Sequence, residues 1–217
     1  MEDLFNRMEA CGRLVRLDPD VRPTMYRCAT VSRPELEQLR RVKNVVRLGR
    51  VQCIDAAQIV LDQGAVATTP DTLHVDCSAD GLMTRAATPV FNGRQVTLQS
   101  VRTCQQVFSA AFIAHVESAY ADEAHRNALC TPIPHPDTDL DFLRTTIADG
   151  ANEARWAADA GLQAWLDHSR LNWIRDLGPQ LPTEPDARAA ARRTRQSVLD
   201  AMSAKLAGLM AGTDARR

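Results

Sequence analysis

The ten glycines of this 217-residue chain include no G-x-G pair. That excludes both a Rossmann fingerprint and a Walker A loop from the sequence, since each uses closely spaced glycines to bring backbone amides against phosphates. Aromatic residues are few, at 5%. No run of ~18 apolar residues occurs, and the opening MEDLFNRMEACGR lacks a long apolar core, so neither export nor a membrane span is expected. Neither sign of charge dominates: 26 Lys and Arg face 27 Asp and Glu. No global field draws the chain toward nucleic acid or anionic lipid. The six cysteines stand singly, at 11, 28, 53, 77, 104 and 130, with no C-x-x-C pair. They predict buried or half-buried free thiols in a reducing, cytoplasmic setting. His115, His125, Cys130 and His135 lie close together, but their spacing matches no zinc pattern, and no metal is expected.

What the chain does contain is an ordinary globular mixture, 45% hydrophobic and 24% charged, enough for one large domain or two small ones. Leu4, Phe5 and Met8 recur at helical spacing before Gly12, which predicts a short opening helix. Ser32-Arg33-Pro34-Glu35 reads as a capping box with proline in the first turn of a second helix. Between Asn44 and Asp76 the period changes to two. Strands are predicted at Val46 to Val51, Gln58 to Leu61 and Leu73 to Cys77, with turns at Asp55-Ala56-Ala57 and Asp62-Gln63-Gly64. A fourth strand, Arg94 to Leu98, follows the turn Phe91-Asn92-Gly93.

Beyond Gln99 the helical period takes over. Thr103-Cys104-Gln105-Gln106 has a capping-box pattern, followed by a stripe of Phe108, Ala111, Phe112, Val116 and Ala119. Pro132, Pro134 and Pro136 enforce an extended loop. Thr138 and Asp141 restart a helix carrying Leu140, Leu143, Ile147, Ala151 and Ala154. Another carries Leu162, Trp165, Leu166, Ser169 and Trp173 and ends at Gly178-Pro179. In the last helix Ala187, Ala191, Thr194, Val198, Met202, Leu206 and Leu209 form the apolar face, opposite Arg188, Arg192, Arg193 and Arg195. Trp156, Trp165 and Trp173 read as docking anchors, His115 as a core-edge imidazole, and the arginines as a solvated helix face.

The fold class is therefore α+β: a small antiparallel meander with flanking helices, packed by the Thr103 helix, then an all-helical C-terminal region. The division falls at residues 1–136 and 137–217. Leu73-His74-Val75-Asp76-Cys77-Ser78-Ala79-Asp80-Gly81 resembles the late strand of two-dinucleotide-domain flavoproteins, in which a strand runs into Ala-Thr-Gly beside the FAD. Asp80 stands where that family usually has threonine. Val101 to Phe112 resembles the same family's turn into its closing FAD-domain helix, and Tyr26 to Thr30 through Leu129 to Pro132 resembles bacterial NAD(P)- and FAD-binding proteins of this kind.

The resemblance implies the C-terminal part of a flavin-monooxygenase-like, NAD(P)-linked oxidoreductase. Its glycine-rich loops would precede the position of Met1, on a complementary N-terminal segment, leaving this chain catalytically insufficient alone. It places Ser78, Ala79, Asp80, Gly81, Thr103, Gln105 and Gln106 near FAD, and names no catalytic residue. The alternative is a stand-alone interaction module, a homodimer among its forms. Either way, exposed Val, Leu or Ile is expected on the uncovered face of the meander.

Overall fold

The computed structural model describes every residue except 27–30, 80–82, 84, 173–181 and 215–217. Cys28, Asp80, Gly81, Trp173, Gly178 and Pro179, singled out in the sequence, lie outside the described residues. The elements are α1 (Glu2–Ala10), α2 (Arg33–Leu39), β1 (Val51–Ile54), β2 (Gln58–Leu61), β3 (Gly64–Ala67), β4 (Phe91–Asn92), β5 (Gln95–Val96), α3 (Gln106–Ala119), α4 (Glu123–Leu129), α5 (Asp139–Ala157), α6 (Ala160–His168) and α7 (Pro185–Asp214). The architecture is α+β.

Local chemistry accounts for most helix ends. Gly12, at φ +75°, lets α1 close on itself: its N–H donates to Glu9 O while Arg13 N–H donates to Met8 O, a pattern that needs one left-handed residue. The box at α2 forms as read, with Ser32 Oγ accepting from Glu35 N and the Glu35 carboxylate accepting from Ser32 N. Thr138 and Asp141 build the same device at α5. The Thr103 box does not form. α3 begins only at Gln106, its N-cap Gln105 makes no side-chain cap, and Thr103 sits at φ +37°. Its N–H is instead taken by Asp149 Oδ1 on α5, at 3.2 Å. Tertiary pairing has displaced the local cap.

The meander is real but shifted. β2 pairs antiparallel with both β1 and β3, and the turn at Asp62-Gln63 falls where read. Because that turn is so tight, the third strand starts at once, at Gly64, and Leu73 to Cys77 is left as irregular, exposed chain. The predicted first strand, Val46 to Val51, likewise starts late, at Val51. Gly49 explains the delay. At φ +85°, with Asp62 Oδ2 standing 2.6 Å from where a Cβ would be, the chain there bends to seat the Asp62 carboxylate on Arg50 N–H. The apolar surface expected on this sheet is present: Val51 and Ile54 of β1 are exposed, as are Val42, Val45 and Val46 before it. The fourth predicted strand becomes β5, paired with β4 in a separate hairpin.

The core lies elsewhere than beneath the meander. Phe108, Phe112, Ile113 and Val116 of α3 pack with Leu129, Trp156, Leu162 and Leu166 and with Val90, Phe91 and Val101, so α3 covers the β4–β5 region and the other helices rather than β1–β3. This cluster draws on both sides of residue 136. Helix α4, unforeseen in the sequence, is started by Asp122, whose carboxylate accepts from His125 N. Its Asn127 clamps Phe91, accepting from the backbone N and donating to the backbone O, both at 2.9 Å. On α7 the half-buried residues are Arg188, Ala189, Ala191, Arg192, Gln196, Leu199, Ser203, Leu206 and Met210, while Val198, Met202 and Leu209 face outward. Ala191 and Leu206 of the apolar stripe read in the sequence thus turn inward, and Val198, Met202 and Leu209 do not. Arg192 chooses the face by pairing with Asp167 of α6, joined there by Arg188; these two arginines tie helices together rather than coat a solvated face.

Three cysteines correct their reading, Cys11, Cys53 and Cys77 being exposed, whereas Cys104 is half-buried and Cys130 buried as expected; burial pushes the Cys130 thiol up to about 12. Trp156 is buried and Trp165 packs on the core edge, with His115 stacked on Trp165 at 4.8 Å. Phe112 is fully buried, 4.5 Å from the Trp156 ring. Phe112→Ala should therefore lower stability by ~3–5 kcal/mol, read as a fall in the urea midpoint at unchanged slope.

Candidate functional site

A cleft of about 490 Å³ opens between the start of α3, the segment before it and the proline loop that follows α4. Such a volume lies within the ~300–1,000 Å³ of small-molecule sites. Gln106, Ser100, Gln99 and His135 supply its polar groups, and Arg85 its charge; Met83, Leu98, Val107, Ala110, Pro132 and Pro134 supply apolar walls.

The loop is extended because its prolines forbid a helix, and it is held by bonds that the prolines leave possible. Ile133 N–H donates to Ser100 O at 2.7 Å, and Thr145 Oγ1 donates to Pro134 O at 3.2 Å. Fully buried Asn152 uses both amide protons, one on Val101 O (2.8 Å) and one on Thr131 O (2.7 Å). The segment 99–102 and the loop are thus fixed to one side chain of α5. His135 is left beside α3: its Nε2 lies 3.3 Å from Gln106 Nε2 and 3.4 Å from Ser100 Oγ.

Behind the cleft lies a buried ionic cluster. Arg102, 3% exposed, holds its guanidinium 4.2 Å from the Phe108 ring centre and 4.9 Å from that of Trp156. It donates to Asn172 Oδ1 at 2.7 Å and faces Glu153 at 3.6 Å, while its Nε is buried without a hydrogen-bond partner among the described residues. Asp149 completes the group. Burial, then the neighbouring Glu153, push its carboxyl up to about 6, against the opposing pull of Arg102 and the Thr103 N–H.

Of the residues the resemblance placed near a flavin, Gln106 lines the cleft. Gln105 stands beside it, half-buried, with Oε1 enclosed and without a hydrogen-bond partner among the described residues. Thr103 turns instead toward Asp149. Ser78 and Ala79 are exposed, Ser78 donating from both N and Oγ to Asp76 Oδ1; they line no part of the cleft, though Met83, Arg85 and Ala87 just beyond them do. His135, Ser100 and Asn152 were missed as site residues. Three alternating prolines bracketing a histidine were the available signal, but the partners lie too far off in sequence for spacing to reveal them.

No model of a known protein family matches the chain, and no solved structure matches it. It is similar to uncharacterized proteins of Mycobacterium bovis and of the H37Rv and CDC 1551 strains of Mycobacterium tuberculosis, each 54% identical over 209 residues covering 96% of this chain and 39% of the relative. The chain spans about two-fifths of the length of these curated relatives. Among the described residues no three His, Cys, Asp or Glu gather as metal ligands, and no helix is long and apolar enough to cross a membrane.

Two outcomes follow from this geometry. Asn152→Leu keeps the volume but strands the carbonyls of Val101 and Thr131; at ~1–3 kcal/mol for each unpaired buried group, thermal unfolding should shift sharply and the Ile133 amide should lose protection from hydrogen exchange. Asp149 ionises near 6 in the folded chain against an ordinary 3.8, so the folded state holds this proton more tightly. Its contribution is complete below about 3.8 and is lost as pH rises toward 6, on the order of 2 kcal/mol. Chemical denaturation across that window should show the fall, and Asp149→Asn should remove it.

Proposed function

We propose that this chain is the C-terminal part of a cytoplasmic flavin-dependent, NAD(P)-linked oxidoreductase, and that a complementary segment carries the glycine-rich loops it lacks. The observation that carries the reading is that Gln106, from the helix likened to the closing helix of the FAD domain, shares one cleft with Met83, Arg85 and Ala87, which follow the Ser78–Gly81 segment likened to the other FAD contact. One likened stretch thus reaches the cleft through Gln106, and the residues just beyond the other line the same ligand-sized space.

The fit is one-sided. Gln106, Gln99, Ser100 and His135 offer hydrogen-bonding groups suited to a ring edge, whereas no cluster of backbone amides on the G-x-G pattern is available for a pyrophosphate. FAD, when bound, supplies the hydride and electron chemistry. This chain's part is to flank the ring with apolar walls, to exclude water there and to present hydrogen-bonding groups at its edge. The length of the mycobacterial relatives is in keeping with a missing partner segment.

Purified alone and folded by circular dichroism, the chain should carry no flavin bands and oxidise no NADH or NADPH. Mixed with the remaining segment of a mycobacterial relative, it should yield a yellow complex. Nicotinamide oxidation by the chain alone, or a colourless complex, would refute the reading. The exposed Val51 and Ile54 of β1 and the exposed valines just before it favour a second reading, an interaction module in which two copies cover each other; a concentration-dependent dimer in sedimentation, with no flavin under any condition, is its signature.

A further inference from the structure

We propose that β1 is a self-pairing edge: two copies of this chain join antiparallel along Arg50-Val51-Gln52-Cys53-Ile54-Asp55, about a two-fold axis that passes between Gln52 and Cys53. This gives the two-copy reading its face and its register, and it does not rest on flavin chemistry.

β1 is the outer strand of its sheet, and every residue from Arg50 to Asp55 is exposed. The six residues are complementary to a reversed copy of themselves. Arg50 falls opposite Asp55 of the second copy, Val51 opposite Ile54 and Gln52 opposite Cys53, so the pairs join opposite charges, two apolar side chains, and an amide with a thiol. Directly opposed pairs of this kind stabilise a sheet, and a two-fold contact makes each of them twice.

In a regular strand this register would fail. Residues three apart there face opposite ways, and Val51 would be separated from Ile54 by the plane of the sheet. β1 is irregular in the one way that removes the conflict. Its pairing with β2 gains a residue between Val51 and Cys53, which sets Val51 against Leu61 and Ile54 against Ile59. Leu61 and Ile59, two apart, share a face, and so therefore do Val51 and Ile54. Arg50 and Asp55, bonded through their backbones to Asp62 and Gln58, fall to the other face. A bulge ordinarily blunts an edge; two copies of this one, related by the axis, keep each pair on a single face.

Val51 and Ile54 are 54% and 46% exposed, apolar surface that the second copy covers. The contact is short, so the dimer is weak and concentration-dependent. On the oxidoreductase reading a complementary segment takes this same edge, and the second copy then competes with it.

Sedimentation of the full chain over a wide range of concentration should show monomer passing to dimer. Val51→Lys and Ile54→Glu, at exposed positions where circular dichroism should report an unchanged fold, should each weaken the dimer about tenfold, the equivalent of ~1.4 kcal/mol. The double variant V51K/I54E sets lysine opposite glutamate twice and should recover the dimer, and an equimolar mixture of the two single variants should form a heterodimer tighter than either homodimer. A wild-type chain that stays monomeric overturns the proposal. So does a dimer that both folded single variants keep undiminished, or one that both lose and the double variant does not restore. None of these samples contains flavin, so the oxidoreductase reading stands or falls separately, on the colour of the reconstituted complex.

Discussion

One buried amide fixes the geometry on which everything near the cleft depends. Asn152 is 0% exposed and spends both its donors on carbonyls from two otherwise separate stretches, at Val101 and Thr131. Neither stretch has a regular partner strand or helix of its own. A buried carbonyl without a donor costs about as much as a lost hydrogen bond, so the two stretches can approach each other only where something supplies both donors at once. An asparagine on the inner face of α5 does so, and Arg155 satisfies its oxygen at 2.7 Å. Once those two carbonyls are fixed, Ser100 and His135 follow within a residue or a few, and the cleft has its shape.

The same helix organises charge. α5 brings Asp149 to the Thr103 amide, Glu153 to Arg102 and Trp156 under the Arg102 guanidinium. Trp156 also donates its Nε1–H to Leu129 O at 2.8 Å. A buried guanidinium is costly unless it is paired and its remaining face is covered, and two aromatic faces together with a carboxylate and an amide meet that requirement. The left-handed Thr103 falls between this cluster and the first turn of α3. Backbone strain of this kind persists only where its surroundings over-determine it; here the Asp149 carboxylate does so.

What the sequence made legible was what depends on neighbours in the chain. The boxes at Ser32 and Thr138, the stop at Gly12, the tight turn after Leu61 and the prolines of the loop are all set within a few residues, and all formed. What stayed hidden depended on distant partners. The inner face of α5 carries Thr145 and Asn152 as well as Leu143 and Trp156, so a search for apolar periodicity selects Ala151 and Ala154 and passes over the residue that matters most. Thr103 looked like a cap because its local spacing was right, and it failed because a carboxylate 46 positions away claimed its amide. On α7 the inward face begins with an arginine, since Arg192 is drawn to Asp167, and hydrophobicity alone could not find it. The cleft was legible only at Gln106, through resemblance; its other polar residues belong to it by folding alone.

The two halves of the molecule differ in how far they satisfy themselves, and that difference bears on the proposed reading. Around α5 the interior is closed: aromatic rings touch, the carbonyls of Val101, Thr131 and Leu129 have side-chain donors, and the Arg102 guanidinium has partners save at Nε among the described residues. The meander has no such closure. β1 and β3 are both edges, every residue of β1 is exposed, and Val42, Val45, Val46, Val51 and Ile54 crowd one short stretch without cover. Isolated exposed valines need no explanation, but a cluster of them beside an unpaired strand edge is a template for another strand. Charge or proline is the usual way to blunt such an edge, and this one carries Val51-Gln52-Cys53-Ile54. On the proposed reading the edge would continue into the sheet of the complementary segment, and the docking that hides the valines would bring that segment's phosphate-binding loops toward the cleft.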